Sequence, residues 1–209
     1  MPYRSGSRVS SLLTFDPLAH RYEWDGKPVL NVTRVLEPVS RIGMIDPDVL
    51  ETAREKGVAV HLMVELDCAG TLDEDSLPEW MAPALLQWRK FREETGFRVF
   101  TSERRVYHRV YRFAGTLDLY GRAEHAGTLA FIDVKRSFLA GAAIGLQLSA
   151  YQHAYSNQEQ DRDALKAKRF ALRLNEKDAY RVEQYTDESQ FQDFLTLLNY
   201  QRVKDKYTP

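Results

Sequence analysis

The segment FAGTLDLYGRAEHAGTLAFIDVKRS, residues 113–137, is the most informative part of this chain. Two apolar runs, Tyr111 to Gly121 and Leu129 to Lys135, are typical of strands, and His125-Ala126-Gly127 between them is typical of a turn. The segment therefore predicts an antiparallel hairpin. Each strand carries an aspartate where the apolar pattern breaks, and an ionised carboxylate in a half-buried strand is costly unless it is paired or binds a cation.

The two aspartates are Asp118 and Asp133, and Lys135 follows two residues after the second. Because side chains alternate along a strand, Asp133 and Lys135 share one face. In a hairpin closed by the predicted turn, paired residue numbers sum to about 252, which puts Asp133 opposite Leu119 and next to Asp118. The carboxylates can then converge at the strand ends, where hard divalent cations take oxygen ligands.

A lysine beside a metal can hold the attacking water or stabilise charge that develops on a phosphate. An Asp-x-Lys triplet is, however, also typical of a strand-end ion pair that faces solvent. The triplet Asp133-Val134-Lys135 therefore does not by itself distinguish a catalytic centre from a surface pair.

The regions outside the hairpin predict helices and further strands, and so a mixed sheet with helices packed on it. A tight turn is predicted at Asp25-Gly26, after weak alternation from Phe15, and an Asp46 cap with Pro47 at the first helical position marks a helix start. The further predicted elements are a short strand and helical turn ending near Pro38, helices Pro47–Leu66 (with Val49 among its apolar positions) and Pro83–Thr95 (with Leu86), strand Phe97–Val110, helix Gly145–Asn157, a second hairpin of Arg169–Leu174 and Tyr180–Tyr185, and helix Ser189–Lys204.

Composition predicts one soluble domain over residues 1–209 with an ordinary core. The net charge of −1 gives no global basic field, but 98–112 and 162–181 are locally basic and 62–80 is acidic, and local patches can bind polyanions. Cys68 is the single cysteine, which excludes an intrachain disulfide and a cysteine-rich zinc or iron–sulfur site. No signal peptide or membrane span is predicted, so we expect a cytoplasmic protein without a membrane partner.

Two further spacings place polar side chains on helix faces. His61 and Glu65 lie four residues apart in EKGVAVHLMVE, and Gln147 and Tyr151 lie four apart in GLQLSAYQHAY. Taken alone, His61 fits a satisfied core histidine, and Gln147 fits a polar residue beside a half-buried tyrosine.

Together, these motifs resemble the ordered motifs of the PD-(D/E)XK nuclease superfamily. The resemblance is to the RecB-type branch, which includes phage exonucleases and the mitochondrial genome maintenance exonuclease. The opening YEWDGKPVLNVTRVL is similar to the start of those exonucleases, with Asn31 where serine is usual, and the resemblance spans Phe15 to Tyr155. The matching motifs are, in order, Gly57 with His61, Glu103, Gly115-Thr116-Leu117-Asp118, Asp133-Val134-Lys135, and Gln147 with Tyr151.

The resemblance implies an α/β fold with a restriction-endonuclease-like core, a mixed sheet flanked by helices. It implies a Mg²⁺- or Mn²⁺-dependent deoxyribonuclease, an exonuclease acting at DNA ends in phage-type recombination or repair, with a phage or host recombination protein as partner. Cys68 alone cannot form the iron–sulfur cluster that some relatives carry, and no phosphate-binding loop of a helicase is present.

The resemblance also implies residue roles. Asp118, Asp133 and the carbonyl of Val134 would be metal ligands, and His61 an additional ligand. Lys135 would position or activate the water. The remaining implied site residues are Gln147, which supports the site or contacts the DNA backbone, Tyr151, which packs beside it, and Glu103, whose role is open.

Basic side chains surround the strands that lead to Asp118, and we expect some of them to contact phosphates. Strand alternation allows only part of the set to face one groove. The set is Arg104, Arg105, Arg109, Arg112 and Arg136.

Two alternatives are a catalytically inactive nucleic-acid-binding protein on the same fold and a glycosidase with two carboxylates. The intact acidic residues and lysine argue against the first, and the second leaves Lys135 and His61 without a role. The sequence does not distinguish exo from endo cleavage, and it does not fix polarity, strand preference, the number of metals or the oligomeric state.

Overall fold

The computed structural model describes residues 13–17, 19, 21–40, 47–136, 141–175 and 179–208. The predicted cap at Asp46 and the end of the hairpin segment at Ser137 lie outside these residues. The elements, in chain order, are β1 (Leu13–Asp16), β2 (Arg21–Trp24), β3 (Lys27–Asn31), α1 (Val32–Leu36), α2 (Pro47–Ala69), α3 (Ala82–Thr95), β4 (Phe97–His108), β5 (Phe113–Ala123), β6 (Thr128–Lys135), α4 (Ala142–Glu159), β7 (Lys168–Arg173), β8 (Arg181–Tyr185) and α5 (Gln190–Tyr207).

The eight strands within the described ranges form one mixed sheet in the order β1-β2-β3-β5-β6-β7-β8. β4 pairs with β5 along its whole length and therefore occupies one edge of β5. The other edge is shared, because β3 pairs with the first two residues of β5 and β6 with its last five. The β3–β5 and β6–β7 pairs are parallel and the others antiparallel, which confirms the predicted mixed sheet flanked by helices.

The helices cover both faces of the sheet. α1, α4 and α5 pack on one face, where Leu117 and Phe131 meet Ile144 and Phe194. α2 and α3 pack on the opposite face through Val60, Met63 and Trp88, against Leu119, Val134 and Leu172. Within the described ranges, no helix is both long and apolar enough to cross a lipid bilayer.

Two apolar positions that supported the helix predictions are not part of the core. Val49 is 61% exposed and Leu86 is 69% exposed. α3 packs through Leu85, Trp88 and Phe91, which recur at helical spacing, so the residue after Leu85 points away from the sheet.

The hairpin of β5 and β6 forms as predicted, but its register differs by one residue. Leu119 pairs with Ile132, not with Asp133. The turn occupies four residues, a short 3₁₀ turn at Glu124–Ala126 followed by Gly127 with φ of 60°, a left-handed conformation that suits glycine. The predicted turn had three residues, and the extra one moves the centre of the hairpin.

Candidate active site

Asp118 lies where β5 and β6 separate. Pairing between these strands begins at Leu119 and Ile132, so Asp118 has no strand partner on that edge. Its Oδ2 accepts the backbone N–H of Val134 at 2.7 Å, and the side chain is 7% exposed. The Asp118 carboxylate therefore accepts a backbone hydrogen bond that the main chain of β5 would accept if the two strands stayed paired. Burial raises the pKa of Asp118, while the charge of His61 opposes that rise.

Asp133 and Lys135 form an ion pair on one face of β6, as the alternation predicted. Lys135 Nζ donates to Asp133 Oδ1 at 2.9 Å and lies 2.8 Å from Oδ2. Burial raises the pKa of Asp133 to about 6, although Lys135 acts to lower it. Burial of the ammonium acts against the charge on Lys135, but the carboxylates of Asp133 and Asp118 outweigh it and raise the lysine pKa. Both groups are therefore mainly charged at neutral pH.

His61 reaches these strands from α2. Its Nε2 donates to the carbonyl of Val134 at 2.9 Å, and its Nδ1 lies 3.0 Å from Glu103 Oε1 and 3.6 Å from Asp118 Oδ2. Burial opposes the charged form, but Asp118 and Glu103 outweigh it and raise the pKa of His61 to about 9. In this arrangement, the imidazolium and Lys135 offset only part of the charge of the three surrounding carboxylates.

Glu103 joins the cluster through an irregularity of β4. The pairing of β4 with β5 shifts between Val99 and Thr101, which leaves Phe100 as an extra residue. Beyond this bulge, Glu103 has a φ of 44°, a strained conformation for a residue other than glycine that costs about 1–3 kcal/mol. Such strain persists where the surrounding contacts hold it, and here the Glu103 carboxylate is held against the His61 ring.

The cluster has the composition of a divalent-cation site. Ligand atoms of His61, Glu103 and Asp118 all lie within 4.8 Å of one another. The carbonyl of Val134 is adjacent, since it accepts from His61. Buried carboxylate oxygens need a compensating cation, and Mg²⁺ or Mn²⁺ prefers such oxygens, so these residues fit a hard divalent ion. Asp133, a predicted ligand, is turned toward Lys135 and stands beside this group of three.

The residues from α4 support the strand that carries Asp118. Gln147 donates to the Tyr151 hydroxyl at 3.2 Å, and Tyr151 is 5% exposed. Burial raises the pKa of Tyr151 well above its usual value, so the hydroxyl is protonated. A Cβ at Gly115 would lie 2.5 Å from Tyr151 Cε1, which explains the glycine two residues before Leu117. Tyr22 adds a bond of 2.8 Å between its hydroxyl and that of Thr116.

Alternation separates two of the predicted DNA-binding arginines. Arg104 pairs with Glu159 of α4 at 2.6 Å. Arg105 lies on the other side of β4, with its guanidinium 5.2 Å from the ring centre of Phe15. Arg105 and Glu103 both act on the pKa of the Tyr22 hydroxyl, so they lie near the same ring, whereas Arg104 is engaged by Glu159.

The other three arginines lie at two places. Arg109 and Arg112 are in the turn between β4 and β5, where the backbone N–H of Arg109 donates to Asn157 and Arg202 donates to the carbonyl of Arg112. Arg136 follows Lys135 and lies 5.6 Å from the ring centre of Trp80. The five arginines do not form one stripe, and their contacts with DNA stay a prediction.

A mixed sheet whose central strands hold two carboxylates and a lysine at the point where they diverge is the core of restriction-endonuclease-like proteins. The sequence profile of the PD-(D/E)XK nuclease superfamily matches residues 46–206. The chain belongs to this superfamily, which confirms the family and the fold class predicted from the sequence.

Comparison with solved structures finds similarity to LHK-Exo, determined in complex with dAMP, at 12% identity and a TM-score of 0.37. The similarity covers 85% of this chain and 92% of that chain. No curated protein matches the sequence.

Proposed function

We propose that this protein is a metal-dependent DNA nuclease that hydrolyses phosphodiester bonds at DNA ends. The observation that carries the proposal is the meeting of His61, Glu103 and Asp118 within 4.8 Å, beside the buried pair of Asp133 and Lys135. Structural ion pairs alone do not require a strained glutamate and a histidine between the carboxylates.

The residues have separate tasks in this proposal. Glu103, Asp118, the Val134 carbonyl and His61 would hold the cation, with Asp133 at its edge. His61 would release its proton when the cation binds, because only neutral imidazole is a ligand. A bound divalent cation supplies a Lewis acid that polarises the phosphate and lowers the pKa of water. Lys135, whose Nζ is fixed by Asp133, would hold the attacking water or stabilise the charge that develops on the phosphate. Gln147 and Tyr151 hold the strand that carries Asp118.

The ligand chemistry favours Mg²⁺ or Mn²⁺ over zinc. Carboxylate and carbonyl oxygens are hard ligands, whereas zinc sites are rich in cysteine and histidine. The proposed group has one histidine, His61, and no cysteine.

Action on DNA ends is supported by the resemblance of the sequence opening and of the motif order to phage exonucleases. On the same ground we propose a role in recombination or repair of DNA, with a phage or host recombination protein as partner and the cytoplasm as location. Each of these is a prediction of the same proposal.

The test is digestion of end-labelled linear DNA beside a closed circle, with Mg²⁺ or Mn²⁺ and with excess chelator. An exonuclease degrades the linear DNA only, and the chelator stops it. Asp118→Asn, which keeps the side-chain shape, is the inactive control. Full activity in chelator would overturn the metal role. DNA binding without cleavage of either substrate, in a folded protein, would favour the inactive nucleic-acid-binding alternative.

A further inference from the structure

Three basic side chains form a row across the sheet at the candidate active site. Lys135 of β6 pairs laterally with Arg173 of β7, and Arg173 pairs with Arg181 of β8. Laterally paired residues point to the same face, and neighbouring strands lie about 4.8 Å apart, so the row spans about 10 Å. Arg173 and Arg181 belong to the locally basic segment 162–181, which the active site described above does not use.

The row lies on the face of the sheet that carries Asp133 and Lys135. Along β7, Ala171 packs in the cluster with α4 and α5, whereas Leu172 and Leu174 pack against α2 and α3. Arg173 therefore points to the α4 side, as Asp133 and Lys135 do. Asp133 pairs laterally with Ala171, two residues before the row along each strand.

The exposure of the side chains differs along the row, and the outermost one faces solvent. Lys135 is 24% exposed, Arg173 is half-buried and Arg181 is exposed. No carboxylate in the described part of the chain lies within ion-pair distance of Arg181. A polyanion that approaches the row from solvent would therefore meet Arg181 first.

We infer that Lys135, Arg173 and Arg181 form a phosphate track that carries one DNA strand from the active site across β7 and over β8. The ligand is the sugar–phosphate backbone next to the scissile bond. Because Lys135 is held by Asp133, the arginines provide the contacts beyond the reacting phosphate. This inference rests on the proposed nuclease function and adds the path of the DNA to it.

The test compares charge removal at the row with charge removal at the other end of the same strand. The double variant Arg173→Gln/Arg181→Gln removes two cations from the track, and Arg173→Lys/Arg181→Lys retains them. Lys168→Gln is the matched control, since Lys168 is exposed and begins β7 at the end away from Asp133. The probe is a fluorescein-labelled duplex with a single-stranded overhang, whose anisotropy is measured in chelator over a series of salt concentrations.

Each lost phosphate contact lowers the slope of log affinity against log salt by about 0.9 on duplex DNA and about 0.7 on a single strand. We expect the glutamine pair to show this loss and weaker binding, and the lysine pair and Lys168→Gln to keep the wild-type slope. An unchanged slope in a folded glutamine pair, or an equal loss in Lys168→Gln, overturns the track.

Cleavage is measured separately, so the two proposals fail differently. If the wild type cuts DNA but the glutamine pair keeps the wild-type salt slope, the track alone is refuted. If the glutamine pair loses slope but the wild type does not cut DNA with Mg²⁺ or Mn²⁺, the nuclease function is refuted and the track remains as a DNA-binding surface. Circular dichroism and urea unfolding establish that each variant is folded. If the glutamine pair is unfolded, the two single substitutions replace it in the same measurement.

Discussion

Replacement of Lys135 by alanine separates a catalytic lysine from a structural one. A surface ion pair contributes about 0–1 kcal/mol and has no effect on turnover. The pair here is different, because Asp133 is 1% exposed and Lys135 is 24% exposed. Removal of one partner from a buried pair costs about 3–5 kcal/mol, since the other charge stays buried without compensation. We therefore expect Lys135→Ala to lower the free energy of unfolding of the metal-free protein by about that amount.

The effect on cleavage follows from the position of Lys135 beside the ligand cluster. A positioned electrostatic or acid–base group contributes about a hundredfold or more to the rate, which corresponds to about 2.7 kcal/mol in activation free energy. Lys135 is not one of the three clustered ligands, so binding of Mn²⁺ and of DNA should persist. Cleavage of end-labelled DNA in single turnover, Mn²⁺ calorimetry and urea unfolding measure the three quantities.

Asp133→Asn is the matched control for the same ion pair. It removes the buried charge and keeps the side-chain shape, and the partly exposed ammonium of Lys135 can turn to water. Asp133→Asn should therefore cost less stability than Lys135→Ala, although both lose cleavage. The reasoning is refuted if Lys135→Ala is folded and cuts DNA at the wild-type rate.

Gly115→Ala should destabilise the protein by about 1–3 kcal/mol in urea unfolding, because its Cβ would lie 2.5 Å from the Tyr151 ring; a neutral effect would show that the ring can move aside. His61→Ala should weaken Mn²⁺ binding in calorimetry and retain more cleavage than Lys135→Ala, since water can replace one ligand of several; unaltered Mn²⁺ affinity would remove His61 from the site. Burial, aided by His153, lowers the pKa of His108 to about 4. Between about pH 6.5 and pH 4, the unfolded chain therefore binds a proton at His108 that the folded protein does not bind. The free energy of unfolding falls as the pH falls through this range. His108→Gln should lose less stability than wild type on acidification in urea unfolding; equal losses would exclude His108 as the cause.

The alternating pattern of β5 and β6 was sufficient to predict the hairpin and the shared face of Asp133 and Lys135. These features are local, because a strand period of two fixes the faces without knowledge of the rest of the chain. The register was wrong by one residue, since Glu124–Ala126 form a short 3₁₀ turn that no residue pattern announced. Turn length decides register, and small differences in turn geometry have large effects on it.

The place of Glu103 could not be predicted from spacing. Its inclusion came from the family resemblance, whereas its contact with His61 depends on the bulge at Phe100 and on a positive φ. No local residue pattern indicates either feature. In the same way, the row of Lys135, Arg173 and Arg181 depends on the lateral register of three strands, two of which are far from the hairpin in sequence.

The edge of β5 that β3 and β6 share has a consequence for how the chain folds. β4, β5 and β6 follow one another through short turns, so their pairing closes small loops and is kinetically favoured. β3 meets β5 at only two residue pairs, Leu30 with Phe113 and Asn31 with Ala114, across all of α2, α3 and β4. The other contacts of the N-terminal strands with β4 and β5 are between side chains, such as Tyr22 with Thr116 and Trp24 with Tyr107, so few backbone hydrogen bonds have to break before these strands open.

The N-terminal strands should therefore form a separate unit in amide hydrogen exchange, with faster exchange in β2 than in the centre of β5. We also expect the two sides of the active site to form at different times during folding. We expect Asp118, Asp133 and Lys135, which belong to one meander, to come together before His61, which reaches them from α2. A chain in which α2 has not yet packed on the sheet would hold these three residues in place and would bind a metal with less than full affinity.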